Sequence, residues 1–189
     1  MRFFCFLLFT FYLLLALACR PSAAPVSISD KPVSVNGVRQ TNALSTKDTE
    51  NLGWESFEGK PEKLADFKGK VVVLDFWATY CPPCLEEIPH LVELQNQYGA
   101  ENLQVIGLHV GGEEDSPKVP AFVERLKINY ALAYPEDALS NALLGNDYAI
   151  PQTFVFNREG ELVKKFVGFD AQIKMDLDRA IAQAIKPQN

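Results

Sequence analysis

The sequence predicts an α/β fold: a three-layer sandwich whose mixed central sheet carries helices on both faces. Three observations carry this reading. From Leu52 to the C-terminus, strand-like and helix-like patterns alternate. Within that stretch, Val71-Val72-Val73-Leu74-Asp75-Phe76-Trp77 is an apolar run broken only by Asp75, as expected of a strand covered on both faces. Near the C-terminus, two short strand patterns flank Asn157-Arg158-Glu159-Gly160, which reads as a hairpin turn. The 189 residues hold one such domain, from residue 52 to 189, behind a leader at 1–24 and a tether at 25–51.

The elements follow in order. Leu52 to Phe57 reads as a first strand, and Leu64 to Phe67 as a helical turn. Lys70 to Trp77 is the central strand. Pro82 to Tyr98 is an amphipathic helix ended by Gly99. Pro89 lies inside that helix and is expected to kink it, because proline lacks an N–H and clashes with the preceding turn. Leu103 to Val110 is the next strand. Pro117 to Lys127 is a helix with Phe122, Val123 and Leu126 inward. Asn129 to Ala133 is expected to pair weakly at a sheet edge, and Glu136 to Leu144 to form a short helix. Thr153 to Phe156 and Glu161 to Val167 make the hairpin. Asp170 is placed to cap a last helix with Ile173, Leu177, Ile181 and Ile185 on one face. Of the two histidines, His90 is read as helix surface and His109 as a core or rim residue.

The chemistry concentrates at Cys81-Pro82-Pro83-Cys84. A strand leads into this segment and a helix leaves it, so Cys81 sits at a helix N-terminus and Cys84 in the first turn. Unpaired N–H groups and the helix dipole favour a thiolate there. A thiolate with a second thiol in reach attacks a disulfide and then resolves the mixed intermediate itself. A structural zinc site needs four ligands, whereas the remaining cysteines are Cys5 and Cys19 and the histidines are unpaired. A purely structural disulfide is the other alternative, and the strand-to-helix position argues against it. Asp75, six residues before Cys81, is costly to bury as a carboxylate and should have a raised pKa. Glu87, three residues after Cys84, shares that cysteine's helix face, the alternative being an ordinary solvated glutamate. Pro82 and Pro83 have no N–H to offer the Cys81 sulfur, so the thiolate is stabilised less than in a CxxC with donating central residues, which points toward a reductant.

These motifs, with Glu86-Glu87-Ile88-Pro89 and the later Ile150-Pro151-Gln152-Thr153-Phe154, resemble the thioredoxin superfamily, specifically its TlpA/ResA-like branch of extracytoplasmic thiol–disulfide oxidoreductases. The resemblance implies a thioredoxin-like fold, with the helix and strand between the active-site helix and Pro151 as the TlpA-type insert. It implies a redox-active Cys81–Cys84 disulfide, with Cys81 attacking and Cys84 resolving. Pro151 is implied to be the cis-proline that faces them, Asp75 to shuttle protons for the second cysteine, and Glu87 to assist thiol deprotonation. Many TlpA-like chains carry Asn where this one has Asp75, a departure toward thioredoxin itself. Tyr80 stands where tryptophan is more often found. Trp77, Tyr80, Ile150 and Pro151 are the expected substrate-contact residues.

The N-terminus reads as a secretory leader, with Arg2 before an apolar run from Phe3 to Ala18. Cys19 after Ala16-Leu17-Ala18 favours a lipoprotein signal with Cys19 lipidated. Cleavage after Ala18 or Ala24, or an uncleaved anchor, are the alternatives, and the run is a little short of the about 20 apolar residues of a spanning helix. Each puts the domain outside the cytoplasm, and Cys5 in the apolar run is inert. Residues 25–51 are rich in Ser, Thr, Asn and Asp and read as the tether, a short strand or hairpin being the alternative. The net charge of −6 has both signs mixed along the chain, with no basic patch for nucleic acid. Nothing calls for a cofactor or metal, and a monomer is expected. The resemblance implies protein disulfide substrates such as apocytochrome c, and electrons from a DsbD- or CcdA-like membrane donor. Two other functions are weighed. A thiol peroxidase of the peroxiredoxin type wants a Thr three residues before its cysteine, whereas Thr79 is two before Cys81. A redox-sensing or binding module would use the disulfide as a conformational switch.

Overall fold

The computed structural model describes residues 49–186. The leader, Cys5, Cys19 and the tether up to residue 48 lie outside them. The Thr49 hydroxyl donates to the Gly160 carbonyl at 2.9 Å.

The strands are β1 (Gly53–Ser56), β2 (Pro61–Lys63), β3 (Val71–Trp77), β4 (Leu103–His109), β5 (Ala131–Pro135), β6 (Gln152–Phe156) and β7 (Leu162–Val167). The helices are α1 (Pro82–Tyr98), α2 (Val119–Leu126), α3 (Asp137–Leu143) and α4 (Ala171–Ile185), with single 3-10 turns at Leu64–Phe67 and Ser116–Lys118. Among the described residues one seven-stranded sheet forms, in the order β2-β1-β5-β4-β3-β6-β7. β3, β4 and β5 run parallel, and the remaining pairings are antiparallel. The sheet is therefore mixed, and β3 sits in its interior with every residue buried.

Alternation along β3 sorts the two cores. Val72, Leu74 and Phe76 pack with Leu139 and Leu143 of α3 and with Trp54 and Leu64. Val71, Val73 and Trp77 pack on the other face with α1, α2 and α4, through Ile88, Leu91, Phe122, Leu177 and Ile181. By the same alternation Asp75 points toward the α1 side. Gln95 of α1 fastens the helix to the start of β4, donating to the Leu103 carbonyl at 2.9 Å and accepting from the Val105 N–H at 2.8 Å. Helix α1 runs unbroken through Pro89 and ends before Gly99. Asp170 caps α4, accepting from the Ile173 N–H at 2.8 Å.

Three local expectations change. The segment expected at a sheet edge is β5, held inside the sheet between β4 and β1. Its exposure alternates and its run is short, so the sequence looks weak although both flanks are paired. The second helix starts at Val119, because Pro117 sits in a 3-10 turn ahead of it. His90 is buried rather than on the surface: its Nε2 lies 2.6 Å from Asp178 Oδ1 on α4.

Candidate active site

Cys81 and Cys84 form a disulfide at the point where β3 feeds α1. Cys81 is the N-cap of α1, with extended backbone, and its sulfur accepts the Cys84 N–H at 3.2 Å. The first two helical positions are Pro82 and Pro83, so the first N–H the helix can aim at the sulfur is that of Cys84. Cys81 is 4% exposed and Cys84 is fully buried. Of the two, Cys81 keeps a small exposure and Cys84 is the internal sulfur.

Two carboxyls are buried between α1 and the sheet. Asp75 faces the α1 side from the middle of β3, completely buried, and neither oxygen has a hydrogen-bond partner among the described residues. Glu87, one turn past Cys84, is also fully buried, which sets aside the solvated alternative. Its Oε1 accepts the Thr153 hydroxyl at 2.6 Å, and its Oε2 has no partner among the described residues. Thr153 is the direct cross-strand partner of Asp75 in the β3–β6 pairing, and its hydroxyl is donated to Glu87. Burial pushes the Asp75 carboxyl well above the usual carboxylate range, and the nearby Glu87 adds to the rise. Burial lifts Glu87 to about 7, with the Thr153 hydrogen bond pulling the other way. At neutral pH the pair therefore holds protons that a solvated pair would have released.

Tyr130 completes this buried group. Its hydroxyl is buried without a partner among the described residues. Burial, then the charges of Asp75 and Glu87, raise its pKa, so it stays a neutral donor-capable hydroxyl. Room for it comes from Gly107, which faces Asp75 across the β3–β4 pairing. A Cβ at Gly107 would lie 3.2 Å from the Tyr130 ring, 2.9 Å from Trp77 Nε1 and 2.7 Å from Leu132 Cδ2.

The remaining expected residues divide. The Ile150–Pro151 peptide is cis, and Ile150 packs against the cluster that contains Cys81 and Cys84. Gln152 fixes the turn before it, donating from Nε2 to the Asp147 and Ala149 carbonyls at 2.8 Å each. Tyr80 is 62% exposed beside Cys81, placed to touch a partner. Trp77 is not so placed. It is completely buried, stacked on Phe122 at 5.1 Å between ring centroids, and belongs to the core because β3 turns its side chain inward. His109 is a buried histidine whose Nε2 lies 3.1 Å from Asp115 Oδ2. Sequence reading missed Thr153 as a site residue, Tyr130 and Asp115. A polar residue in the apolar β6 run was a signal for Thr153, whereas Tyr130 and Asp115 stand in no recognisable spacing.

Comparison with known proteins agrees with this geometry. The Redoxin family matches residues 55–182. The thiol-disulfide oxidoreductase ResA of Halalkalibacterium halodurans is 35% identical over 121 residues, covering 62% of this chain and 65% of that protein. ResA of Geobacillus kaustophilus is 31% identical over 131 residues, 69% of this chain and 71% of that protein. The match thus spans about two thirds of the length of these relatives. Among solved structures, a thiol:disulfide interchange protein of the thioredoxin family from Chlorobium tepidum superposes with a TM-score of 0.60 at 30% identity, covering 71% of this chain and 92% of that one. With its CxxC pair at the start of α1 and these relatives, the chain belongs to the Redoxin family, among its thioredoxin-fold thiol–disulfide oxidoreductases.

Proposed function

We propose that the protein is a reductant of protein disulfides that works outside the cytoplasm, tethered to the membrane through its N-terminal segment with lipid on Cys19. The observation that carries the redox direction is the start of α1, where Pro82 and Pro83 leave the Cys84 N–H as the helix donor to the Cys81 sulfur. Each N–H withheld from a thiolate removes on the order of 1–2 kcal/mol of its stabilisation. The dithiol form is destabilised accordingly, and a less stable dithiol is a stronger reductant.

The reaction runs in two exchanges. The Cys81 thiolate attacks one sulfur of the substrate disulfide. A Cys81–substrate S–S bond forms, the substrate S–S bond breaks, and the departing substrate sulfur takes up a proton. Cys84 gives its one proton to the Asp75–Glu87 pair, which accepts it when one of the two carboxyls is ionised, and then attacks the Cys81 sulfur. The second substrate thiolate leaves and is protonated, and the Cys81–Cys84 disulfide remains. The substrate gains two electrons and two protons, and a donor dithiol returns the pair to its reduced form. The resemblance supports a DsbD- or CcdA-like membrane protein as that donor and apocytochrome c as one substrate. Tyr80, Ile150 and Pro151 form the contact surface for the substrate chain.

Turbidimetric insulin reduction with dithiothreitol as donor, run beside peroxide consumption, tests the reading. Reduction that is lost in Cys81→Ser supports it. Peroxide consumption without insulin reduction would replace it with the peroxidase alternative.

A further inference from the structure

Asp115 is distant from the dithiol in sequence and lies outside the buried acid pair, yet it is 1% exposed and densely engaged. Its Oδ2 accepts the Thr79 N–H at 2.8 Å and lies 3.1 Å from His109 Nε2. Its Oδ1 accepts the Thr79 hydroxyl and, at 3.3 Å, the Lys118 ammonium. Burial alone would raise its pKa, but these hydrogen bonds, led by that of the Thr79 hydroxyl, hold it below the usual carboxylate range. The carboxylate is itself held in place: its own N–H donates to the Gly112 carbonyl at 3.2 Å, and its carbonyl accepts the Lys118 N–H at 2.9 Å.

The partner matters most. Thr79 lies in the short connection between β3 and α1, two residues before Cys81. That connection is otherwise shaped by a single turn bond, from the Cys81 N–H to the Ala78 carbonyl at 3.3 Å, and by the Val110 N–H to the Trp77 carbonyl at 2.9 Å. Because the two prolines donate nothing, the helix holds the Cys81 sulfur through the Cys84 N–H, and the connection has to supply the rest of its aim. Gly111 shows how closely the β4–α2 loop is drawn in. A Cβ there would lie 2.7 Å from both Asp115 Cβ and His109 Nε2, so any side chain at 111 must displace the clamp.

We infer that Asp115 is a positioning residue for the exchange reaction: its carboxylate clamps Thr79 through both N–H and O–H, and so fixes the Cys81 sulfur at the start of α1. This rests on the reading of Cys81 as the attacking thiol. The clamp joins the loop after β4 to the active-site connection, and the loss of any of its parts releases the same segment.

The test is the pH profile of Cys81 alkylation by iodoacetamide, taken in the Cys84→Ser background, beside insulin reduction by the intact dithiol. Asp115→Asn, Thr79→Val and Gly111→Ala are compared with Thr79→Ser, which keeps the hydroxyl. The first three should shift the alkylation profile to higher pH and slow insulin reduction by roughly 10- to 100-fold, the scale of a small misplacement of a reacting group. Thr79→Ser should behave as wild type. Removing a nearby negative charge alone would move the profile to lower pH, so the direction separates loss of the clamp from loss of the charge. Folding is checked by cooperative thermal melts. If Asp115→Asn does not fold, Thr79→Val and Gly111→Ala decide. Folded variants with lowered melting temperature and an unchanged profile would overturn the inference and leave Asp115 a structural residue. A wild type that reduces no insulin would overturn the reductase reading instead.

Discussion

Asp75 and Glu87 are the residues at which stability and chemistry pull apart. A carboxyl buried without a full set of partners destabilises the fold, and it persists where its proton is used. Asp75→Asn should therefore stabilise the oxidised protein toward denaturant at pH 8 and slow the release of the mixed disulfide by at least about 10²-fold, the lower range for an engaged proton-transfer group. Stopped-flow resolution of a Cys81-linked fluorescent thiol measures the second effect. A variant that is both less stable and kinetically silent would make Asp75 a structural residue. For Glu87 the pH window is defined. Its folded pKa of about 7 exceeds the unfolded value of 4.5, so between these the folded state binds more protons than the unfolded chain. Stability contributed by this group is thus present below about pH 4.5 and lost as pH rises toward 7. Glu87→Gln should leave stability unchanged at pH 4 and raise it at pH 8 by on the order of 1–3 kcal/mol. Urea melts at the two pH values measure the difference, and an equal effect at both would show that Glu87 acts by packing alone. Both acids were legible in the sequence, Asp75 as a charge in an apolar run and Glu87 by its spacing from Cys84. Their neighbours were not. Thr153, which donates to Glu87, and the buried Tyr130 come to this side of the sheet through strand register and the gap at Gly107, which join residues far apart in the chain.

At the scale of elements, the start of α1 governs the redox character. Replacing Pro83 by Ala restores one N–H in the first turn while keeping a good helix former. Pro83→Ala should stabilise the Cys81 thiolate and raise the reduction potential by about 30 mV, the equivalent of roughly 1.4 kcal/mol for a two-electron couple. Equilibration with a glutathione series and quantification of the alkylated dithiol reads that shift. A potential unchanged or lowered in Pro83→Ala would remove the donor argument. The order strand, turn, helix around Cys81 was readable because each element carries its own period. β5 was misjudged because Ala131–Pro135 is short and half exposed, and its interior place depends on antiparallel pairing with β1, far earlier in the chain, Trp54 opposite Pro135 and Ser56 opposite Ala133. His90 was misplaced for a similar reason. Helical spacing shows which face it occupies but not that Asp178 of α4 lies against that face.

For the whole molecule, the alternation of strand and helix patterns was sufficient to predict a mixed sheet covered on both faces, and the seven strands and four helices of the described residues have that arrangement. The short strand β2 escaped because Pro61-Glu62-Lys63 has no apolar alternation to mark it. The N-terminal segment lies outside the described residues, and its proposed role is open to direct measurement. Mass spectrometry of the mature protein from the cell envelope should find diacylglycerol on an N-terminal Cys19. An N-terminus at Pro25, at an unmodified Cys19 or at Met1 would remove the lipid anchor and leave the redox proposal intact. That redox proposal has one quantity at its centre, the reduction potential of the Cys81–Cys84 pair, obtained by equilibrating the protein against dithiothreitol or glutathione mixtures at pH 7 and counting free thiols. A protein disulfide reductant with two prolines between its cysteines should give a value below roughly −200 mV, and a value near about −120 mV, the range of a strong periplasmic oxidant, would contradict it.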